Sequence, residues 1–523
     1  MIHTRNIVVL PAEVEVAFNE GQNLFQILNR AGFPLAHDCA GKGICGKCKF
    51  RLHSGLPRPS AVDLEFLTKQ EIDDQIHLAC AFKPDDGDIV ELFSGDLKAT
   101  PQDEVIGLTF PVDRWPGVET SELALAIDLG TTNVVGYLLD ANNGAIINAI
   151  SIPNSQSMYG SDVMSRLAYA SHKGREAVLN LQRLALNDIE RLAMALNTNK
   201  IPIRRVVGVM NSAMATFVIA SNPDDLGRHP CESGIDGPVS QKPFNNKKGV
   251  LEKAELIIPP VIGGYVGSDA LSALYAVLES NPPAPFALLD IGTNTEVLLV
   301  TDNAKAACSA PAGPSFEGYG ISHGMRAVDG AIERVTISGG AFSCQVIGKS
   351  APKGIAGSGL FSLFAELIRA GGLDKFGSIV PENLSPEMYR SGEKSLELVI
   401  APGVTVDGVD IQQFMVAKAA TRAGLETLLD HLGVKPEQLR KIYFAGAFVQ
   451  RVEPQDLLAI GLTPDVESSR ICNVGNAACA GSAMMAVSRE AFVTACSMAG
   501  KIEHLPLSGN AYFNMSFQDH VRF

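Results

Sequence analysis

The stretch LALAIDLGTTNVVGYLLD, residues 123–140, decides the fold of most of this chain. An apolar run leads to Asp128, a tight Gly-Thr-Thr turn follows, and a second apolar run begins at Val134. This order predicts a strand, a turn and a strand. The pattern recurs about 160 residues later as FALLDIGTNTEVLLV, residues 286–300. Two copies, each with a strand apolar enough to be buried, predict a duplicated α/β domain.

Both turns carry residue types that suit a phosphate site. Glycine lets the backbone approach a phosphate, the amides and threonine hydroxyls donate hydrogen bonds, and the aspartate can bind Mg²⁺ or orient water. A third apolar strand, KIYFAGAF at residues 441–448, runs into a glycine turn. Together these elements resemble the two phosphate motifs and the adenosine motif of the actin/sugar-kinase/Hsp70 superfamily, in which ATP lies between duplicated subdomains.

This resemblance implies a role for each residue of the three motifs. Asp128 and Asp290 would bind Mg²⁺ and position water, and Gly446 would lie against the adenosine. The residues that would contact phosphate are Gly130, Thr131, Thr132, Gly292, Thr293 and Asn294. A degenerate fold that keeps this shape without nucleotide is the alternative.

Four of the ten cysteines fall between positions 39 and 80, and the other six are scattered. Cys39, Cys45 and Cys48 stand in a glycine-rich loop with the spacing C-x5-C-x2-C, and Cys80 follows alone. A 2Fe–2S cluster needs four thiolates, and such a loop can supply three of them while its amides face the sulfides. The first gap is one residue longer than in plant-type ferredoxins and resembles the adrenodoxin-like variant. The alternative is a zinc site, although zinc usually takes two separated C-x2-C pairs.

The residues around these cysteines predict a small α+β fold. Residues 6–18 alternate as two strands, Asn23 caps a short helix, and residues 88–93 read as a closing strand. With the cluster loop, this order is similar to the β-grasp sheet of 2Fe–2S ferredoxins. His37 and Asp38 are expected to shape the loop rather than to bind iron.

These patterns divide the chain into three parts. Residues 1–95 are predicted to form the ferredoxin-like domain, residues 96–120 a linker, and residues 121–523 the ATPase-like domain. The subdomains of the last part would span about 121–285 and 286–523. The linker contains three prolines and little periodicity, so it is either an arm that lets the ferredoxin domain swing or a packed tether.

Composition limits the function classes. With 523 residues, the chain is longer than a single hydrophobic core usually supports, so two or three domains are expected. Its 46% hydrophobic residues and 49 glycines suit a soluble α/β enzyme. The net charge is −14, whereas nucleic-acid binding usually requires an excess of positive charge, so we do not expect a nucleic-acid partner. No run of 18 uncharged apolar residues and no signal-peptide pattern occur, so we expect a cytoplasmic protein without membrane contact.

Shorter strings between the motifs narrow the resemblance. In chain order they are residues 154–166, 266–269, 313–318, 354–359, 410–420 and 475–478. Together with the cluster domain, they are similar over almost the whole chain to the reductive activators of corrinoid-dependent methyltransferases and corrinoid iron–sulfur proteins. Members of this family often carry a middle domain before the ATPase domain, and here only about 25 residues would fill that interval.

The family resemblance implies a function and its cofactors. With a 2Fe–2S cluster, ATP and Mg²⁺, the protein would pass an electron to the Co(II) corrinoid of a partner protein or methyltransferase and regenerate Co(I). A flavoprotein or ferredoxin would supply the electron, and homodimerisation stays open. Two alternatives are an ATP-dependent electron donor to another low-potential enzyme, such as a radical dehydratase, and a non-catalytic nucleotide-binding redox sensor.

Three further features concern the second half of the chain. The segment Cys308–Gly324 either reaches the corrinoid of the partner or is a subdomain loop. Lys418 lies on an apolar helix and is expected to extend to the surface rather than to bind phosphate. A 4Fe–4S cluster of the radical-dehydratase type would have to use four cysteines whose spacing suggests no site: Cys308, Cys344, Cys472 and Cys479.

Overall fold

The computed structural model describes residues 5–10, 14–31, 35, 43, 46–54, 58–92, 115, 122–160, 162–228, 231–244, 249–392, 395–446 and 449–523. These residues contain one five-stranded sheet, two six-stranded sheets and two three-stranded sheets. Within these ranges, no helix is long and apolar enough to cross a membrane.

The N-terminal elements form the predicted β-grasp sheet. They are β1 (Arg5–Leu10), β2 (Val14–Phe18), α1 (Leu24–Arg30), β3 (Lys49–Leu52), α2 (Ala61–Phe66), α3 (Lys69–Asp73), β4 (Ile76–Leu78) and β5 (Ile89–Leu92). The strand order is β2-β1-β5-β3-β4, with β5 parallel to β1. The side-chain oxygen of Asn23 accepts a hydrogen bond from the amide of Gln26 at 2.9 Å, which confirms the predicted helix cap.

The first copy of the repeat opens a six-stranded sheet. Its elements are β6 (Leu123–Leu129), β7 (Asn133–Asp140), β8 (Ile146–Pro153), α4 (Val163–Lys173), α5 (Arg175–Leu196), β9 (Ile203–Met210), α6 (Ser212–Val218), α7 (Asp224–Gly227), β10 (Val239–Gln241), β11 (Glu255–Ile258) and α8 (Ser268–Leu278). The strand order is β10-β11-β9-β6-β7-β8.

The second copy opens a sheet of the same kind and two smaller ones. Its elements are β12 (Phe286–Ile291), β13 (Thr295–Val300), β14 (Lys305–Ala310), β15 (Ala331–Ser338), β16 (Ala341–Val346), β17 (Gly354–Ile355), α9 (Gly357–Arg369), β18 (Tyr389–Ser391), β19 (Leu396–Ala401), β20 (Val404–Asp407), α10 (Gly408–His431), β21 (Lys441–Ala445), α11 (Pro454–Ala459), β22 (Ile471–Gly475), α12 (Ala477–Val487), α13 (Arg489–Ala499), β23 (Glu503–His504) and α14 (Ala511–His520). The large sheet has the order β22-β21-β12-β13-β14-β23.

The two six-stranded sheets share one connectivity. In each, three consecutive strands pair antiparallel, and the first of them pairs parallel with a later strand, β9 or β21. A further parallel strand follows, β11 or β22. This correspondence confirms the predicted duplication. The strands before the turns, β6 and β12, are almost continuously buried, as central strands of a covered sheet should be.

Helices α8 and α12 join the two halves by packing against each other between the sheets. The hydroxyl of Ser272 on α8 donates to the carbonyl oxygen of Ala478 on α12 at 2.6 Å. At Gly481 a β-carbon would lie 2.1 Å from the carbonyl oxygen of Ser272, so only glycine permits this approach. The halves therefore share one core, and the turns that end β6 and β12 are fixed relative to each other.

Trp115 is the one described residue of the predicted linker. Its indole N–H donates to the carbonyl oxygen of Met485 at the end of α12, at 3.1 Å. The Arg205 guanidinium lies 4.3 Å from the ring centroid, and the ring of Phe492 packs beside it. This contact holds one point of the linker on the ATPase-like domain. The linker residues on either side of Trp115 lie outside the described residues.

Lys418 differs from the sequence-based expectation. Its side chain on α10 is 1% exposed, and its ammonium group donates to the carbonyl oxygen of Arg522. Burial lowers the pKa of Lys418 to about 8. Helix α14 covers this side of α10, so a lysine on an apolar helix is enclosed here instead of extending to solvent. The predicted surface position is therefore wrong, and Lys418 holds the C-terminal residues in place.

Candidate functional site

The two turns of the repeat face each other at the junction of the halves and line a cleft of about 120 Å³. The hydroxyl oxygens of Thr132 and Thr293, one from each turn, are 2.9 Å apart. The cleft contains every residue that the sequence assigns to nucleotide or Mg²⁺: Asp128, Gly130, Thr131, Thr132, Asp290, Gly292, Thr293, Asn294 and Gly446. The fold thus gathers the predicted site, while the role of each residue toward ATP stays a prediction.

A frame of hydrogen bonds holds the first turn from behind. The carbonyl oxygens of Gly130 and Thr132 accept from the side-chain amide and backbone amide of Asn154, at 2.8 and 2.9 Å. The carbonyl oxygen of Thr131 accepts from the Arg166 guanidinium at 2.6 Å. A carbonyl oxygen repels a phosphate, so tying back three of them in a row leaves the donors of the turn for the cleft.

Arg166 is completely buried. Loss of water lowers its pKa to about 9, while the negative charges of Asp162 and Asp188 act in the opposite direction. Asp188 also accepts from the backbone amide and hydroxyl of Ser155, at 2.8 and 2.6 Å. The string 154–166, which contributed to the family resemblance, is therefore the support of the first phosphate turn.

Two glycines of the cleft are required by close backbone approach. Gly446 has φ of +119°, and a β-carbon there would lie 2.5 Å from the carbonyl oxygen of Ile291. At Gly130 a β-carbon would lie 2.8 Å from the carbonyl oxygen of Asn133. Neither position can carry another residue without moving the turn.

Carboxyl groups crowd the cleft, and three of them were not assigned from the sequence. Asp269 on α8, Glu296 on β13 and Glu317 line it together with Asp128 and Asp290. Loss of water raises the pKa of Asp128 to about 6. Loss of water, and then repulsion by Asp128, raises the pKa of Asp269 to about 7 and that of Asp290 to about 8. Loss of water also raises the pKa values of Glu296 and Glu317.

This crowding suits a cation that arrives with the nucleotide. Over the described ranges, no three His, Cys, Asp or Glu side chains are grouped so as to hold a metal ion on their own. Mg²⁺ usually binds through one or two carboxylates and completes its shell with phosphate oxygens and water. The carboxyl groups present fit that mode, in which Asp128 and Asp290 are the predicted protein ligands.

Two asparagines complete the polar lining. Asn476 caps α12 through its side-chain oxygen and donates to the carboxylate of Asp128 at 2.9 Å. Asn211 donates to the hydroxyl of Thr131 at 3.0 Å. Asp269, Glu317 and Asn476 belong to the short strings that carried the family resemblance, so these strings could have pointed to them as residues of the site. Asn211 and Glu296 had no signal in the sequence.

The segment Cys308–Gly324 contributes to this cleft. Glu317 accepts hydrogen bonds from the hydroxyls of both Thr132 and Thr293, each at 3.0 Å. Ser309 donates to the Glu296 carboxylate at 3.1 Å. These contacts favour the interpretation of the segment as a subdomain loop, and its contact with a corrinoid stays a prediction.

Two of the four predicted cluster ligands are described, Cys48 and Cys80. Cys39, Cys45, His37 and Asp38 lie outside the described residues. Pairing of β3 with β4 brings Cys48 beside Cys80, and a hydrogen bond between the two sulfurs lowers the pKa of Cys80 to about 7. Adjacent sulfurs, one of them readily ionised, fit two ligands of a single cluster.

The loop before Cys48 also fits a cluster. Gly43 and Gly46 have φ of +79° and +64°, a conformation that glycine adopts at little cost. At Gly46 a β-carbon would lie 3.0 Å from that of Phe66 on α2. On the other side, Asn23 donates to the carbonyl oxygen of Cys80 at 3.0 Å.

Comparison with known proteins places this architecture in a family. A family model described as the C-terminal domain of RACo, the ASKHA domain, matches residues 285–523, and one described as the RACo middle region matches residues 123–278. Together these two models match more than half of the chain. The chain belongs to the RACo family. A model of the 2Fe–2S iron-sulfur cluster binding domain matches residues 7–85, in agreement with the ferredoxin-like fold.

Similar proteins include two curated relatives and one solved structure. The corrinoid activation enzyme RamQ of Eubacterium limosum is 30% identical over 386 residues, which cover 70% of this chain and 64% of that protein. The match thus spans less than two thirds of the length of RamQ. The [Co(II) methylated amine-specific corrinoid protein] reductase of Methanosarcina barkeri is 26% identical over 425 residues, 75% of each chain. A structure titled "Reductive activator for corrinoid,iron-sulfur protein" superposes with a TM-score of 0.71 at 27% identity and covers 99% of this chain and 98% of that one.

The matches confirm the fold class, a 2Fe–2S β-grasp domain followed by an actin/sugar-kinase/Hsp70-like domain. They also correct the expectation that the chain lacks the middle domain of its family. The RACo middle region coincides with the first half of the duplicated domain, so this region is present in the chain.

Arg166→Lys should weaken nucleotide binding about tenfold, since lysine keeps the charge near Asp188 but cannot match the planar guanidinium, which donates to the carbonyl oxygens of Thr131 and Gly160 from separate nitrogens. An unsatisfied buried group costs roughly 1–3 kcal/mol, and 1.4 kcal/mol is tenfold in affinity. Calorimetric titration with Mg²⁺ and a non-hydrolysable ATP analogue measures the affinity of each variant. Arg191→Lys makes the same change at a partly exposed partner of Asp188 and should keep the wild-type affinity. Equal affinities for the two variants would show that the hydrogen bond from Arg166 to the first turn does not support nucleotide binding.

Asp290→Asn should raise the melting temperature of the nucleotide-free protein at pH 8 by a few degrees. The pKa of Asp290 is raised from 3.8 to about 8 in the folded chain, so the folded protein binds this proton more tightly than the unfolded chain. The resulting contribution to the free energy of unfolding is complete below pH 4 and is lost as the pH rises toward 8. Differential scanning fluorimetry from pH 5 to pH 8 should show the gain of the variant shrinking toward pH 5. The exposed Asp519→Asn should show no such trend. A variant that melts below the wild type at pH 8 would refute the interpretation.

Proposed function

We propose that this protein is an ATP-dependent reductive activator of a corrinoid protein. It transfers one electron from a 2Fe–2S cluster held by Cys39, Cys45, Cys48 and Cys80 to the Co(II) corrinoid of a partner. The cluster is oxidised by one electron, and cobalt is reduced to Co(I). A flavoprotein or ferredoxin then returns an electron to the cluster. The division into residues 1–95, 96–120 and 121–523 belongs to the same proposal.

One observation carries the proposal: a cleft built from two phosphate turns lies on the same chain as a cluster-binding fold. A nucleotide cleft alone would suit a kinase, and a cluster alone would suit a simple electron carrier. Their combination favours electron transfer that nucleotide controls. The similarity to a corrinoid activation enzyme and to a Co(II) corrinoid protein reductase supports a corrinoid as the acceptor.

The energetics explain why ATP would be needed. A plant-type cluster has a potential of roughly −400 mV. The Co(II)/Co(I) couple is expected to lie below this value, so the transfer is uphill in the isolated partners. Loss of an oxygen ligand from Co(II), or its replacement by a weaker one, would destabilise Co(II) relative to Co(I) and raise the potential. Nucleotide can promote this only if the ATP-bound form has different affinities for the two cobalt states.

In this scheme the cleft residues have separate tasks. Asp128 and Asp290 hold Mg²⁺ through oxygen or through bound water, and the threonine hydroxyls of the two turns donate to phosphate oxygens. Gly446 lets the adenosine approach the end of β21. Since each half of the domain supplies one turn, bound triphosphate links the halves, and its hydrolysis releases them.

The proposal predicts ATP-dependent formation of Co(I). Reduced protein mixed anaerobically with a Co(II) corrinoid protein from the same cell should generate the Co(I) absorbance in quantity only with Mg-ATP. Cys45→Ser should abolish the signal by removing a cluster ligand, and Asp290→Ala by removing a Mg²⁺ ligand. Cys496→Ser, on α13, changes a cysteine outside the predicted ligands and should behave as wild type.

The same mixture separates the alternatives. Absence of Co(I) with and without Mg-ATP, in protein with a verified 2Fe–2S spectrum and verified nucleotide binding, would contradict the corrinoid acceptor. ATP hydrolysis would then point to another low-potential enzyme as acceptor, and absence of hydrolysis to a redox sensor.

A further inference from the structure

Glu317 is an acidic residue of the cleft that contacts both turns of the repeat. One oxygen of its carboxyl group lies 3.0 Å from the hydroxyl oxygens of both Thr132 and Thr293. These two hydroxyls are 2.9 Å from each other, so the three oxygens form a nearly equilateral triangle. Each corner comes from a different part of the chain: the first turn, the second turn and the short 3₁₀ segment Pro314–Glu317.

The triangle has fewer hydroxyl protons than it has close contacts between oxygens. Two hydroxyls supply two protons for three close oxygen contacts. If the carboxyl group is ionised, both hydroxyls donate to it and their own contact contains no hydrogen bond. An additional acceptor between the threonines, such as a phosphate oxygen, would give the hydroxyls a new partner and leave the carboxylate beside it.

The other carboxyl groups of the cleft have different surroundings. Asp128 accepts from Asn476 at 2.9 Å, and Glu296 accepts from Ser309 at 3.1 Å. Asp269 accepts from the backbone amide of Ala270. Among the described residues, Glu317 is the one carboxylate with hydrogen bonds to both threonines.

The segment that carries Glu317 is well anchored. Phe316, the preceding residue, is completely buried and packs against Phe361 and Phe414. At Gly318, which follows, φ is +84° and a β-carbon would lie 3.0 Å from the amide nitrogen of Met325. A buried aromatic on one side and a glycine turn on the other fix the direction in which Glu317 enters the cleft.

We propose that Glu317 is the general base of ATP hydrolysis in this cleft, a role that rests on the proposed function. With the terminal phosphate held by the hydroxyls of Thr132 and Thr293, the carboxylate of Glu317 lies beside it. A water molecule there gives its proton to Glu317 while its oxygen bonds to the γ-phosphorus. The bond from this phosphorus to the bridging oxygen of ADP breaks, which yields ADP and inorganic phosphate. Glu317 then releases the proton to solvent.

The surroundings of Glu317 suit this task. Burial raises its pKa above the ordinary value of 4.5, which strengthens it as a base, while the hydrogen bonds from Thr293 and Thr132 and, after them, the charge of Arg326 favour the ionised form. Arg326 is itself held by the side-chain oxygen of Asn133 in the first turn, at 2.8 Å. This leaves Asp128 and Asp290 for Mg²⁺ and removes from them the water-positioning role assigned from the sequence.

Glu317→Gln tests the assignment because glutamine keeps the size and the hydrogen-bonding capacity of the side chain but cannot take the proton. Phosphate release from Mg-ATP should fall by about 100-fold or more, the usual effect of losing a general base. Affinity for a non-hydrolysable ATP analogue should change no more than a few-fold. Glu397→Gln, the same change at an ion pair with Arg390 away from the cleft, should hydrolyse ATP at the wild-type rate.

A second variant separates proton transfer from a structural role. Glu317→Ala should lose hydrolysis, and added formate should restore part of it by supplying a small carboxylate. A Glu317→Gln protein that hydrolyses ATP at the wild-type rate, or a Glu317→Ala protein that formate does not help, would overturn the proposal.

Phosphate release is measured with and without the Co(II) corrinoid protein, so two failures are distinguishable. Wild-type hydrolysis without any Co(I) would contradict the proposed function and leave the Glu317 comparison valid. A wild type that releases no phosphate in either condition would overturn the base assignment together with the ATP dependence.

Discussion

The contact between the hydroxyls of Thr132 and Thr293 joins the two copies of the repeat at the cleft. Two residues 161 positions apart meet because each lies in the turn that follows a central strand of its own sheet, and both sheets have the same order of strands. The crossing of α8 and α12 fixes the distance between the sheets, and Gly481 makes that crossing close enough. A phosphate site assembled in this way needs both halves, so its occupancy is linked to how the halves are arranged.

The electrostatics of the cleft complement this geometry. Several carboxyl groups line the same cleft, and burial raises the pKa values of Asp128, Asp269 and Asp290 to about 6, 7 and 8. Such an arrangement is costly in the empty protein, because folding must either keep protons on these groups or tolerate their repulsion. A divalent cation removes the cost. We propose that the cleft binds a metal–nucleotide complex rather than the nucleotide anion alone, and that the bound complex stabilises the contact between the halves by neutralising this repulsion.

Much of this could be predicted from the sequence, because the decisive elements are local. A buried strand followed by Asp-x-Gly-Thr specifies its own turn, and two copies imply the duplication. The helix cap at Asn23 and the cysteine spacing are local in the same sense. Asn211 caps α6 and Glu296 lies on β13 beyond the second turn, and the presence of either in the cleft depends on tertiary packing that no short pattern encodes. Glu317 belongs to a string of the family resemblance, but its position between the two threonines depends on the same packing. Lys418 shows the opposite failure, since the sequence of its own apolar helix does not reveal that α14 packs against it and encloses the side chain.

We propose that one nucleotide contacts both turns at once, and hydrogen–deuterium exchange tests this contact at each turn. Exchange is followed in peptides that cover residues 126–137 and 288–299, with and without Mg²⁺ and a non-hydrolysable ATP analogue. Amides that bind phosphate, or that close over it, exchange more slowly. If one nucleotide binds both turns, exchange should slow in both peptides at the same nucleotide concentration. Protection of only one peptide, or of neither while the nucleotide is bound, would contradict a site shared between the two halves.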